Sequence, residues 1–324
     1  MDSPPAQGIV FENWPCPNCG EPSATTVRKG VSDSRHGLVE GIDLVECNRC
    51  DLVRTDPRPS SESIPLCYPD DYSSHEEPPP LAAADSLRGR ARDMVAALRR
   101  RRWGGFPPAD LEPGEALELG AGVGSALITL QELGWSVTMV EPSRDAAELA
   151  RRRLGLAAER VHVCSAEDAE FPDGSFDLVV MMHVIEHLVD PRGVIEACFD
   201  WLRPGGTLIV ECPNFASLES RIFGRYWLAL DVPRHLTHFT GATLRALLEG
   251  AGFEWQAQIP RSHMPWWSLR NALRRGRYHE PPSTYERRST LRRVVPLAAH
   301  RTLEHLGYSP SIEVVARKPS AGGD

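Results

Sequence analysis

His183, Glu186 and His187 lie together in the string HVIEHL, and PRHLTHF further on adds His235 and His238. Spacings of three and four put the first three on one face if that turn is helical. A histidine with a pKa near ~6.5 can take a proton from a nucleophile at neutral pH. The same imidazoles, with Glu186, can instead hold a divalent cation such as Mg2+ that lowers the pKa of a bound hydroxyl. Both chemistries stay open at this level. The string also matches the H-x-x-E-H of inverted zinc metalloproteases. That reading is set aside because a glycine loop and carboxylates upstream specify a different kind of sheet.

Cys16-x-x-Cys19 and Cys47-x-x-Cys50 form two C-x-x-C knuckles with twenty-seven residues between them. Paired knuckles let four thiolates converge on one ion, so a structural Zn2+ ribbon is expected. A four-thiolate site has no open position for a substrate, and its expected contribution is to fold a domain too small to hold itself together. Disulfides are disfavoured in a chain read as cytosolic, and a redox C-x-x-C would not need a second copy. Cys67, Cys164, Cys198 and Cys212 fall outside the pattern and read as linker or core.

The segment Glu118-Leu-Gly120-Ala-Gly122-Val-Gly124 lies between a predicted strand and a predicted helix. Glycines there allow a tight turn and let a ligand approach backbone N–H groups at a helix N-terminus. A dinucleotide loop of the form G-x-G-x-x-G would need glycine at position 125, where this chain has Ser125; the pattern favours S-adenosylmethionine over NAD. Glu141 closes the next strand, where a carboxylate can accept hydrogen bonds from both ribose hydroxyls. Glu167, just after the third strand, is placed to reach an adenine amino group.

The elements that must position these groups follow from alternation. ALELG, SVTMVE, VHVCS, FDLVVMM and GTLIVECP read as strands, with SALITLQELG, SRDAAELARRRLG and PRGVIEACFDWL as helices between them. Such alternation predicts an α/β fold, a Rossmann-like parallel sheet with helices on both faces. A helix over Ala242 to Glu249, a strand at FEWQAQI and a last strand at SIEVVAR complete it. The expected organisation is a zinc-ribbon module and linker over 1–75, a helical cap over 81–110, and the sheet domain over 111–318 with an insertion at 261–308. Ser60 to Pro80, rich in Pro, Ser and acidic residues, reads as the linker. Trp266 and Trp267 either wall a substrate or anchor the insertion. Arg99 to Arg102 and Arg270, Arg274, Arg275 and Arg277 either meet a phosphate or form a solvated face.

The 324 residues carry a net charge of -8, with 41% hydrophobic and 25% charged residues, an ordinary globular composition. The acidic balance argues against bulk nucleic-acid binding. No apolar run approaches the ~20 residues of a membrane span, and the start lacks a signal pattern, so a cytoplasmic location is expected.

With these motifs in order, the chain resembles the class I S-adenosylmethionine-dependent methyltransferases over about Leu111 to Ile259. ELGAGVG is similar to their first motif, VEPS to the ribose-binding strand, FPDGSFDLVVMMHVIEHLVDP to the fourth-strand motif and LRPGGTLIVECPN to the fifth. The HVIEHL variant most resembles ubiquinone-biosynthesis O-methyltransferases and the metal-assisted small-RNA 3'-end methyltransferases. The latter have Glu where this chain has His183. The resemblance implies cofactor-binding roles for Glu118, Gly120, Gly122, Gly124, Glu141, Ala166 and Glu167. Zinc ribbons precede methyltransferase domains in bacterial enzymes that modify sugars and secondary metabolites, often followed by phrases like LVRTDPRPS and YPDDY, which implies a small-molecule acceptor and O-methylation. An RNA acceptor, or a binding platform without transferase activity, are the alternatives.

Overall fold

The structure, a computed structural model, describes residues 8–68, 106–108, 110–261 and 309–320. The expectations for 81–105 and 262–308, including Trp266, Trp267 and both arginine groups, lie outside the described residues, as does the linker beyond Tyr68.

The N-terminal part forms β1 (Phe11–Glu12), β2 (Ala24–Val31), β3 (Ile42–Cys47), β4 (Val53–Asp56) and β5 (Arg58–Pro59). β1 pairs antiparallel with β5, while β2, β3 and β4 form a meander. One face of that meander, with Val31, Ile42, Leu44 and Val53, packs on Trp227, Leu230 and Val232 from far along the chain. The part of the expected linker that is described is packed rather than free. Ser63 and Cys67 are buried, and Ser63 Oγ accepts a hydrogen bond from Val10 N at 2.9 Å.

The second part supplies β6 (Glu115–Leu119), α1 (Ser125–Glu132), β7 (Ser136–Val140), α2 (Arg144–Leu154), β8 (Val161–His162), β9 (Phe176–Met182), α3 (Pro191–Trp201), β10 (Leu202–Pro213), α4 (Leu218–Phe223), β11 (Thr237–His238), α5 (Gly241–Gly250), β12 (Glu254–Arg261) and β13 (Ser311–Arg317). The helices start where the side chains dictate. Ser143 caps α2, Asp190 followed by Pro191 caps α3, and Thr240 with Thr243 forms a capping box on α5. The strands β6 and β9 are almost wholly buried, as expected of strands covered on both faces, and β9 is apolar apart from Asp177.

Seven strands join in the order β12-β13-β10-β9-β6-β7-β8. β8, β7, β6, β9 and β10 run parallel, and β13 is antiparallel to both neighbours. The chain walks outward from β6 to β8 and then returns to the other side of β6 with β9. That reversal opens a crevice at the carboxyl ends of β6 and β9, where open α/β sheets bind ligands.

β11, which follows β10 in sequence, does not join this sheet. It adds to the N-terminal meander, Thr237 opposite Arg54 and His238 opposite Val53. The two parts are therefore joined by backbone hydrogen bonds. A buried ion cluster reinforces the junction. Arg234 donates to Asp33 at 2.7 and 3.2 Å, to Asp231 at 2.8 Å and to the Cys67 carbonyl at 3.1 Å. Burial opposes charge on Asp231, yet Arg35, His235 and Arg234 hold its carboxyl well below the ordinary range. Among the described residues no helix is long and apolar enough to cross a membrane.

Replacing Arg234 with Met strands the buried carboxylates of Asp33 and Asp231, and about 3–5 kcal/mol of stability is expected to be lost. Urea denaturation measures this. A loss below about 1 kcal/mol would mean the cluster does not hold the two parts together.

Candidate functional site

The glycine turn after β6 takes positive φ at each glycine, +64° at Gly120, +53° at Gly122 and +78° at Gly124. Gly120 is also constrained by packing, since a Cβ there would come within 2.5 Å of Val184 Cγ2. The glycine turn and the histidine turn are thus in direct contact across the crevice. Gly124, in the left-handed conformation, caps α1.

Two buried carboxyl groups face this turn. Glu141 accepts from Gly122 N at 2.7 Å and from Ser143 N at 2.8 Å, one bond to each oxygen. Glu118 Oε2 is buried with no hydrogen-bond partner. Burial, with the charge of Glu141 beside it, pushes the Glu118 carboxyl up to about 8. Ala166 is buried nearby, whereas Glu167 is exposed and accepts from Val189 N at 2.9 Å.

After β9, His183 takes φ +59° and only Ile185–His187 form a 3-10 turn, so the expected single helical face is not made. The histidines divide instead. His183 lies between two buried carboxylates, with Nδ1 3.2 Å from Glu186 Oε1 and Nε2 3.5 Å from Glu211 Oε1. The ring is partly exposed; its loss of solvation alone would lower its pKa, but bonds to Glu186 and Glu211 outweigh that and push it up to about 10.

His187 Nδ1 sits 3.1 Å from the Arg234 carbonyl and 3.0 Å from the Tyr68 hydroxyl. His235 Nδ1 sits 2.9 Å from the Ala229 carbonyl. A carbonyl only accepts, so Nδ1 is the donating nitrogen of both rings, and in a neutral ring the lone pair is on Nε2. The rings meet edge to face at 4.5 Å, and His235 Nε2 is 4.0 Å from Glu186 Oε1. Burial, with His187 alongside, lowers His235 to about 4. Glu186, His187 and His235 offer three ligand atoms within 4.8 Å of one another, a set able to hold a metal ion.

His238 stays out of this group. It is buried in β11, 3.1 Å from Thr55 Oγ1, with its ring 5.8 Å from that of Phe215. The structure therefore brings His235, not His238, to the turn.

The four cysteines of the knuckles converge, with Cys16 Sγ 3.4 Å from Cys50 Sγ and Cys19 Sγ 3.5 Å from Cys47 Sγ. All four sulfurs lie within 4.8 Å of one another. Cys16 and Cys47 share a core cluster with Leu188, Val194 and Phe239, and Arg192 donates to Asn18 O at 3.0 Å. The knuckles are packed on α3 and are not a detached appendage.

The family model described as "Methyltransferase domain" matches residues 87–258. The chain belongs to that methyltransferase family. The "Ubiquinone biosynthesis O-methyltransferase" of Xanthomonas axonopodis pv. citri (strain 306) is 30% identical over 201 residues, 54% of this chain and 84% of the relative. Its namesake in Xanthomonas campestris pv. campestris (strain B100) is 28% identical over 217 residues, 58% of this chain and 90% of the relative. A solved S-adenosylmethionine-dependent methyltransferase from Archaeoglobus fulgidus is 21% identical, covers 72% of this chain and 97% of its own, and superposes with a TM-score of 0.45.

The methyltransferase uses S-adenosylmethionine as methyl donor, and the chemistry of the glycine turn fits that cation. An orphaned, buried carboxylate oxygen of Glu118 stands beside a second carboxylate, and a positive ligand would satisfy both.

Sequence reasoning missed four residues of the site. Glu211 was legible as a carboxylate inside the apolar run GTLIVECP. Tyr68 stood in the phrase YPDDY, but its partner His187 lies far away in sequence, as does Asp33, the partner of Arg234; Asp231 pairs with its near neighbour Arg234.

Gly120→Ala must adopt positive φ and displace Val184, with an expected cost of about 1–3 kcal/mol and weaker donor binding. Adding Val184→Ala should recover the packing share of that loss. Thermal melts with a double-mutant cycle test this, and full additivity of the two changes would mean that the turns do not touch.

Proposed function

We propose that this methyltransferase transfers a methyl group to an oxygen of a small-molecule acceptor, a secondary metabolite or carbohydrate, with the hydroxyl deprotonated at His187 Nε2. The observation that carries this is the tautomer lock. The Arg234 and Ala229 carbonyls accept from Nδ1 of His187 and His235, so Nε2 is the nitrogen of each ring left to act, and both residues cluster with Glu186 after β9. Further support comes from the relatives named as O-methyltransferases. His183, clamped between Glu186 and Glu211 as an imidazolium, is not the base in this reading. Its single positive charge is shared between the two buried carboxylates, and it orients Glu186.

S-adenosylmethionine supplies an electrophilic methyl carbon. Glu118, Gly120, Gly122, Gly124, Glu141, Ala166 and Glu167 are proposed to bind it, with Glu141 turned to the ribose. The acceptor oxygen loses its proton to His187 and gains the methyl group, and the donor departs as S-adenosylhomocysteine. The protein mainly orients the reactants and keeps the nucleophile unprotonated.

A second reading is favoured by the convergence of Glu186, His187 and His235, whose ligand atoms suit a divalent cation. There the same three residues would hold the ion, and its charge would acidify the acceptor hydroxyl. Cys16, Cys19, Cys47 and Cys50 are proposed to hold a separate, structural Zn2+.

Glu118 supplies a pH test. Its carboxyl, raised to about 8, is largely protonated in the donor-free protein at neutral pH, and gives up that proton when a cationic donor is bound. Affinity for S-adenosylmethionine should therefore strengthen as pH rises towards about 8 and level off above it. Calorimetry in buffers of different ionisation heat reads the released proton. No proton release in wild type, or the same release in Glu118→Gln, would remove Glu118 from the donor site.

His187→Ala should lower kcat by ~100-fold or more while leaving donor affinity intact. EDTA followed by Mg2+ or Mn2+ separates the two mechanisms, with zinc content and circular dichroism followed in the same samples. Turnover that persists while zinc stays bound supports the base; loss and recovery without unfolding supports the cation. Near wild-type turnover of His187→Ala would defeat both.

A further inference from the structure

Arg234 and Arg54 are among the largest fully buried side chains, and they differ in one respect. Arg234 has counter-charges in hydrogen-bond contact from Asp33 and Asp231. Arg54 has none. Its Nε and Nη1 are buried without a hydrogen-bond partner, and the carboxylate facing it, Asp56 Oδ2, is 3.7 Å from Nη2, beyond hydrogen-bond length. Burial pushes the Asp56 carboxyl up against the pull of Arg54.

A second unpartnered group stands across the strand pair. Thr237 lies directly opposite Arg54 in the β4–β11 register, so the two side chains share a face of the sheet. Thr237 is 0% exposed, and its Oγ1 likewise has no hydrogen-bond partner. Buried cations and hydroxyls in folded proteins are normally satisfied, because an unpaired buried charge is costly. A guanidinium fork with an adjacent hydroxyl matches the oxygens of a carboxylate or phosphate.

The pair is also tied to the proposed reaction centre. Leu236 N donates to the Glu186 carbonyl at 2.8 Å and Thr55 N donates to the Leu236 carbonyl at 2.9 Å. Thr237 thus follows, by one residue, a backbone bond to Glu186, and His235 is two residues before it.

We propose that Arg54 and Thr237 recognise an anionic group, a carboxylate or phosphate, on the acceptor. This rests on the reading of the chain as a small-molecule methyltransferase and adds the chemical class of acceptor that the site selects. The anionic end is anchored by the N-terminal sheet, while the hydroxyl end lies towards His187.

The test uses the full, zinc-loaded chain and three probes at matched ionic strength: inorganic phosphate, acetate and chloride. Thermal melts should show phosphate or acetate raising Tm above its value in chloride, and the probe that does so names the class. Arg54→Met should lose that response, Arg54→Lys should keep part of it, and Thr237→Val should weaken the affinity by about tenfold. Without added phosphate or acetate, Arg54→Met should melt at or above the wild-type temperature, because it removes a buried guanidinium with two unsatisfied nitrogens and leaves Asp56, which is partly exposed, to water. The proposal is overturned if chloride does as well as the other anions, which would be an adventitious ion only. It is equally overturned if Arg54→Met responds like wild type, or if Arg54→Met melts well below wild type, as loss of a structural guanidinium would require. S-adenosylhomocysteine binding, measured by calorimetry on the same samples, keeps the two readings apart. Its absence would count against the methyltransferase site, and its presence without an anion response against Arg54 alone.

Discussion

Arg234 acts through both of its ends. Its guanidinium, fully buried, gathers Asp33 from the N-terminal sheet, Asp231 from its own loop and the carbonyl of Cys67. Its carbonyl oxygen takes the Nδ1 proton of His187. The first set of bonds fastens the cysteine-bearing part to the loop after β10, and the last determines which nitrogen of His187 is left with a lone pair. Removing either member of such a buried pair leaves an uncompensated charge in a low-dielectric interior, so the cluster is all-or-none in character. The tautomer of the candidate base therefore depends on a junction whose other half is some two hundred residues away in sequence.

From that junction the N-terminal part emerges as a wall of the site. Tyr68 reaches His187, Thr55 holds both the His235 carbonyl and the His238 ring, and β11 completes the N-terminal sheet. The four cysteines converge in this same N-terminal part.

Electrostatics across the crevice follow a single arrangement. Glu118, Glu141, Glu186 and Glu211 are all buried at the carboxyl edge of the parallel strands. His183 shares one positive charge between the last two, while Glu118 keeps an unpartnered oxygen. These carboxyls are buried, so charge on them is felt strongly. A positively charged methyl donor suits that field.

Local sequence was enough for the strands and helices of the parallel sheet, because buried runs such as FDLVVMM and caps such as Asp190-Pro191 depend on near neighbours. It was enough, too, for the glycine turn, whose positive φ values only glycine meets readily, and for the convergence of two C-x-x-C knuckles. Tertiary structure alone decided how the histidines divide. Equal spacing in HVIEHL suggested one face, but the left-handed backbone at His183 sends that ring to Glu186 and Glu211, while His187 turns to His235. His235 and His238 look interchangeable in PRHLTHF, yet pairing of β11 with β4 commits His238 to Thr55. Spacing along the chain specifies neighbours a few residues apart, whereas the partners that determine a side chain's charge and tautomer come from strands the fold brings together from far away.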